Sequence, residues 1–144
     1  MKKIIIILSL IMFITLPGAA SVKEVKNYQY PISMTVIAPE DSSGGASQII
    51  EVNTGDYFKV GLEAAGGTGY RWQLDDNNMD IVEFVDQTAA PVDPVFRMPG
   101  SKIRWEFYFK VKPNVSGQQP LRFYLRRGLD EIPVKEFLLT VIVQ

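Results

Sequence analysis

The sequence predicts an all-β fold, a sandwich or barrel built from about eight short antiparallel strands. Three observations support this prediction: apolar and polar residues alternate over several short segments, turn-forming residues separate those segments, and no convincing amphipathic helix is present. A chain of 144 residues suits a single domain and is long enough to bury a core without disulfides or metal ions.

The predicted strands follow from the alternation, because a strand places every second side chain on the same face. The clearest case is Lys102–Val111, where apolar residues alternate with charged residues and a tyrosine. Segments 121–126 and 137–143 show the same period. Weaker candidates lie earlier in the chain, at residues 33–38, 48–52, 57–63, 70–74 and 81–86.

Clusters of Gly, Asn, Asp and Ser lie between the predicted strands. Gly and Asn tolerate a positive φ, and Asn, Asp and Ser side chains bond to nearby backbone, so these clusters favour turns. The predicted turns are residues 42–45, 53–56, 66–69, 75–78 and 114–117.

Residues 1–20 are predicted to form a cleavable secretory signal peptide. Lys2 and Lys3 precede an uncharged apolar stretch, residues 4–16, and small residues follow up to Ala20. This stretch is shorter than the roughly 20 residues that span a bilayer, so an uncleaved anchor is the less favoured alternative. We therefore expect a mature domain of residues 21–144 that is exported, either to the periplasm or out of the cell.

Composition and charge exclude several classes of function. The chain contains neither His nor Cys, which rules out Ser-His and Cys-His nucleophile pairs and the usual zinc sites. The chain has 15 basic residues, of which Lys2 and Lys3 are removed with the signal peptide. The mature domain therefore has 13 basic and 16 acidic residues and a formal charge of −3. This charge predicts no binding to nucleic acid or to a membrane after cleavage. Asp75 and Asp76 lie in a predicted turn, where carboxylates are solvated, so we expect no enzyme, cofactor or metal.

Three connections carry residues that suit partner binding. The first, residues 64–72, is rich in glycine and fits a plain hairpin turn, but not a phosphate loop, because no lysine follows the glycines. The second, residues 91–101, contains Phe96 and Met98 and either binds a partner or covers one end of the domain. The third, residues 126–133, begins with two arginines that suit a solvated turn or a partner carboxylate.

In their order and spacing, these loops resemble those of the chagasin-like inhibitors of papain-type cysteine proteases. The first loop of that family reads Asn-Pro-Thr-Thr-Gly followed by Tyr or Phe, usually with Trp two residues later. Here residues 65–70, followed by Trp72, occupy that place. The resemblance covers roughly residues 48–143, which is nearly the whole predicted mature domain.

The resemblance implies an immunoglobulin-like antiparallel β-sandwich of about 7–8 strands that binds a papain-family cysteine peptidase as a monomer. Its three loops would enter the active-site cleft as a wedge and inhibit reversibly, with Thr68 nearest the catalytic cysteine and Trp72 packed in the core. The implied partner-binding residues are Gly66, Gly67, Thr68, Gly69 and Tyr70 in the first loop, Phe96, Met98, Pro99, Gly100 and Ser101 in the second, and Arg126, Arg127, Gly128 and Leu129 in the third.

The loops also depart from the family pattern. Residues 65–67 replace Asn, Pro and the first Thr, residues 99–102 replace a run of glycines, and Arg127 and Gly128 replace a Pro-Trp pair. Losing a proline for a glycine makes a free loop more mobile, and losing a tryptophan removes a strong interface anchor. These departures leave a second hypothesis open, a non-inhibitory protein-binding or adhesion module of the cell envelope with the same fold.

Overall fold

A computed structural model describes residues 30–38, 45–95 and 98–144. The predicted signal peptide, the first three residues of the predicted turn at 42–45 and the loop residue Phe96 lie outside this part of the chain. The described residues form eight strands: β1 (Ile32–Ile37), β2 (Ala46–Val52), β3 (Tyr57–Ala65), β4 (Arg71–Asp75), β5 (Val82–Pro91), β6 (Lys102–Val111), β7 (Gly117–Arg126) and β8 (Lys135–Val143). Among these residues, no helix is long and apolar enough to cross a membrane.

The strands form two four-stranded sheets, which confirms the predicted all-β sandwich. The first sheet has the order β1-β3-β6-β5, and the second has the order β2-β8-β7-β4. Two pairings differ from the expected antiparallel pattern, because β1 runs parallel to β3 and β2 runs parallel to β8. The chain crosses from β1 to the second sheet before it returns as β3, and a crossover of this kind allows parallel pairing.

All eight predicted strands are present, and β5 is longer than predicted. Its pairing with β6 extends from Val82 opposite Val111 to Pro91 opposite Ile103. The last five residues of β5 are exposed, so they show no alternation that the sequence analysis could detect. Hydrogen bonding to a neighbouring strand, and not burial, defines this part of the strand.

The core lies between the two sheets and is filled by the alternating residues that the sequence predicted. Phe107 and Phe109 of β6, Phe123 of β7 and Phe137 of β8 are fully buried. The rings of Phe107 and Phe123 meet edge to face across the sheets, with their centroids 5.0 Å apart. Each buried side chain of this size stabilises the fold by about 1.5–3 kcal/mol.

The strand register brings three connections to one end of the sandwich. Within the first sheet, Ala65 at the end of β3 lies opposite Lys102 at the start of β6. Within the second sheet, Arg71 at the start of β4 lies opposite Arg126 at the end of β7. The first loop crosses from one sheet to the other, and the second and third loops join neighbouring strands of the first and second sheets respectively. The first loop therefore lies between the other two.

Candidate functional site

The first loop, residues 66–70, depends on glycines for its backbone path. Gly67 and Gly69 have φ values of 75° and 79°, which disfavour other residues. At Gly66, a Cβ would lie 2.7 Å from the carbonyl oxygen of Ser101, closer than non-bonded atoms approach. The glycine-rich sequence is therefore required by both backbone conformation and the close approach of the second loop.

Thr68 and Trp72 stabilise the first loop and the strand that follows it. The Thr68 hydroxyl donates a hydrogen bond to the carbonyl oxygen of Ala65 over 2.9 Å and closes the turn. The Trp72 indole N–H donates to the carbonyl oxygen of Glu63 over 3.0 Å, and only 3% of this residue is exposed. Trp72 is thus a core residue that anchors the base of the loop, as the resemblance implied.

The second loop ends in a tight turn from Met98 to Ser101. The Ser101 N–H donates to the carbonyl oxygen of Met98 over 3.0 Å, and the Ser101 hydroxyl bonds to the same oxygen over 2.7 Å. Pro99 and Gly100 occupy the central positions, and Gly100 has the positive φ of 85° that a type II turn requires there. This turn leaves the Met98 side chain exposed to solvent.

The third loop, residues 126–134, is stabilised from within by Arg126. Its Nε donates to the side-chain oxygen of Gln73 over 2.7 Å, and its Nη1 donates to the carbonyl oxygen of Leu129 over 2.6 Å. Its guanidinium group also lies over the Tyr124 ring, 5.6 Å from the centroid. Arg126 therefore shapes the loop, whereas Leu129, at 73% exposure, extends into solvent.

Direct contacts join the three loops. The Gly66 N–H donates to the carbonyl oxygen of Ser101 over 2.9 Å, which joins the first and second loops. The Arg127 Nε donates to the carbonyl oxygen of Thr68 over 3.1 Å, and its guanidinium lies 4.6 Å from the centroid of the Tyr70 ring, which joins the first and third loops. We call the continuous surface formed by residues 66–70, 98–101 and 126–134 the loop edge.

The structure brings together the sequence-predicted site residues that it describes. On the loop edge, eight of them are exposed: Gly67, Thr68, Gly69, Met98, Pro99, Gly100, Arg127 and Leu129. Five are half-buried: Gly66, Tyr70, Ser101, Arg126 and Gly128. Phe96 lies outside the described residues, and the partner-binding role of the whole set stays a prediction.

Sequence reasoning did not single out two residues of this surface, Ile132 and Val134, or the strand residue Gln73 that supports it. Ile132 and Val134, which are 89% and 53% exposed, add apolar area to the third loop. Their signal was available, since apolar residues flank Pro133 in a charged turn. Gln73, the partner of Arg126, had no such signal, because it is an ordinary strand residue whose role depends on the neighbouring strand.

The loop edge offers no metal chemistry that the structure can identify. Within the described ranges, no group of three or more His, Cys, Asp or Glu side chains is placed to hold a metal ion. The site consists of backbone turns, exposed apolar side chains, two arginines and the exposed carboxylates of Asp130 and Glu131. Such a surface suits the recognition of another macromolecule.

Comparisons with known proteins agree with this architecture. The sandwich is similar to the cysteine protease inhibitor EhICP2 from Entamoeba histolytica, with a TM-score of 0.57 and 18% identity over 77% of this chain and 96% of that one. It is also similar to PbICP-C, whose structure is a complex with falcipain-2, with a TM-score of 0.53 and 14% identity over 78% of this chain and 100% of that one. No curated protein sequence matches the chain.

These structural similarities show the fold, and the sequence itself shows the family. The profile of the chagasin family peptidase inhibitor I42 matches residues 51–141. This range includes β3 to β7, all three loops and most of β8, and it confirms the resemblance seen in the loop sequences. The proteins of this family are inhibitors of peptidases and not enzymes. The chain therefore belongs to the chagasin family of peptidase inhibitors.

Proposed function

We propose that this protein is an exported, reversible inhibitor of papain-type cysteine peptidases that inserts its loop edge into the active-site cleft. The observation that carries the proposal is the contact between the loops: Gly66 bonds to Ser101, and Arg127 bonds to Thr68. Three segments that are distant in sequence thus form one continuous surface. The complex of PbICP-C with falcipain-2 supports the same kind of partner for this chain.

The first loop suits a central, inhibitory position because it does not have the extended backbone of a substrate. Gly67 and Gly69, on either side of Thr68, both have positive φ values. Attack by a peptidase requires the scissile carbonyl to lie close to the thiolate in an aligned geometry. A curved loop that fills the cleft without this alignment blocks substrates and is released intact, which explains reversible inhibition.

This chain lacks the tryptophan that the family pattern has in the third loop. The exposed apolar side chains of the loop edge provide binding affinity in its place. Met98 and Leu129 are 67% and 73% exposed and lie on the second and third loops. Burying such side chains against the walls of a cleft is favourable by about 25 cal/mol for each Å² of apolar surface. Gly66 and Gly67, which replace Pro and Thr of the family pattern, oppose binding, since each such change costs about 0.4–1 kcal/mol of additional ordering.

Export is the second part of the proposal, and it is supported by the charge and hydropathy pattern of residues 1–20. Expression of the full chain in a secreting host should yield a product that begins at Ser21. The measurement is the intact mass of protein recovered from the exported fraction. A product that retains Lys2 and Lys3 would contradict this part and leave the inhibitory part unaffected.

The inhibitory part is tested by titrating papain and a cathepsin L-type peptidase with protein purified from cells that express the full chain. We expect reversible inhibition, weakened at least tenfold by Thr68→Ala combined with Tyr70→Ala. Gln118→Ala is the matched control, because Gln118 is exposed at the opposite end of the sandwich. Failure of the unmodified protein to inhibit at tens of micromolar would reject the proposal and favour the envelope-binding hypothesis.

A further inference from the structure

Arg127 of the third loop contacts Thr68 and Tyr70 of the first loop and passes beside Gly69 between them. Its Nε donates to the carbonyl oxygen of Thr68 over 3.1 Å. Its guanidinium group lies 4.6 Å from the centroid of the Tyr70 ring, within the range of a cation–π interaction. A Cβ added at Gly69 would lie 3.9 Å from the Arg127 side chain, so this side chain runs close to the Gly69 backbone. One exposed side chain therefore covers the second half of the loop.

Apart from the packing of the Tyr70 side chain against the core, the other contacts of the first loop act mainly on its first half. The hydrogen bonds from Gly66 to Ser101 and from Thr68 to Ala65 both act at the start of the loop. Beyond Thr68, the bond from the Tyr70 N–H to the Thr68 hydroxyl is long, at 3.4 Å. Gly69 adds backbone freedom, because glycine loses more conformational entropy on ordering than other residues.

The neighbouring arginine has a different role. Arg126 is half-buried, and its hydrogen bonds go to Leu129 of the third loop and to Gln73 of β4, the strand that pairs with β7. Arg127 is exposed, and its hydrogen bond crosses to Thr68. Arg126 thus joins the third loop to the second sheet, whereas Arg127 contacts the first loop itself.

We infer that Arg127 is a positioning residue, which orders the first loop of the free protein in the conformation that enters the peptidase cleft. The inference rests on the proposed function. The planar guanidinium donates a hydrogen bond to Thr68 from Nε in a fixed direction and at the same time lies over the Tyr70 ring. A lysine ammonium, which is not planar, cannot combine these two contacts. In this chain, Arg127 thereby compensates for the glycines of the first loop.

Amide hydrogen exchange of the free protein tests the inference without any peptidase. We expect Arg127→Ala to speed exchange at least fivefold at the Tyr70 amide, whose N–H donates to the Thr68 hydroxyl. Arg122→Ala is the matched control, because Arg122 lies on β7, the strand that leads into the third loop, bonds to Glu136 over 2.9 Å and has a side chain that is 50% exposed. It removes the same charge and should leave the Tyr70 amide unchanged. Equal exchange in the two variants would overturn the inference.

Inhibition provides the second measurement. We expect Arg127→Ala to raise the inhibition constant for papain about tenfold and to make the first loop a slow substrate, cut within residues 66–70, as mass spectrometry would show. Arg127→Lys should restore neither the inhibition constant of the unmodified protein nor its slow amide exchange in the first loop. Full restoration by lysine would overturn the inference, since charge alone would then suffice. If the unmodified protein inhibits no peptidase, the proposed function fails, but the exchange measurement still decides the role of Arg127.

Discussion

The backbone N–H of Gly66 lies 2.9 Å from the carbonyl oxygen of Ser101, so the first and second loops approach each other without an intervening side chain. A Cβ on residue 66 would lie 2.7 Å from that oxygen and 3.1 Å from the Ile103 side chain. The spacing between the two loops thus depends on one glycine.

Gly66→Ala is therefore expected to displace the second loop. Overpacking of this kind costs about 1–3 kcal/mol, and it should appear as a lower denaturant midpoint and as weaker inhibition. Gly67→Ala is the control for backbone strain, because Gly67 has a φ of 75° but open space around its Cβ position. We expect Gly66→Ala to weaken inhibition more than Gly67→Ala; the reverse order would show that strain, and not contact with Ser101, limits this loop.

Leu129→Ala tests the apolar contribution of the third loop. Leu129 is 73% exposed, so its truncation should leave the denaturant midpoint within experimental error while it weakens inhibition about three- to tenfold. Ile49→Ala is the control, since Ile49 is 65% exposed on β2, away from the loop edge. Equal inhibition by both variants would exclude Leu129 as an anchor.

Gln119→Leu separates stability from binding. Gln119 is 6% exposed; its side-chain oxygen accepts from the N–H groups of Asp80 and Ile81, and its amide nitrogen donates to the carbonyl oxygen of Asn78 over 2.6 Å. An apolar residue of similar size removes these three hydrogen bonds, each of which contributes about 0.5–1.5 kcal/mol to stability. We expect a clear fall in the melting temperature with unchanged inhibition at 25 °C, because this contact lies opposite the loop edge.

Because of Glu106, the free energy of unfolding depends on pH in the acid range. Burial raises the pKa of Glu106, but hydrogen bonds from Lys59 and Tyr108 outweigh it and hold the pKa below its ordinary value of 4.5. A lowered pKa in the folded state contributes stability above the unfolded value, and this contribution is lost as the pH falls through the folded value. Denaturant midpoints should therefore fall less between pH 6 and pH 3 for Glu106→Gln than for the unmodified protein.

The acid effect has a control on the other sheet. Arg122 and Glu136 form an ion pair of 2.9 Å in which both side chains are substantially exposed, and such pairs add little to stability, so Glu136→Gln is the control for the loss of one surface carboxylate. If both glutamine variants responded alike, the hydrogen bonds from Lys59 and Tyr108 would not be the source of the effect.

The strands were predictable because their signal is local. Along β6, each apolar residue from Trp105 to Val111 is buried, as the alternation predicted, since the pleat of a strand assigns faces from sequence spacing alone. The glycines at 66–69 likewise predict a turn from residue type alone, because they tolerate the positive φ that a turn requires. The residue types of the loops also identified the family, which the matched profile confirms.

Strand pairing and loop contacts could not be predicted in the same way, because they join residues far apart in the chain. Alternation is the same in a parallel and an antiparallel strand, so it did not reveal that β1 pairs in parallel with β3. Arg127 and Thr68 are separated by 59 positions and meet because β4 pairs with β7 in the second sheet, where Arg71 lies opposite Arg126. The sequence therefore specified the strands, the core and the loop composition, whereas strand pairing within each sheet, together with the first loop that links the two sheets, created the surface that we propose enters a peptidase cleft.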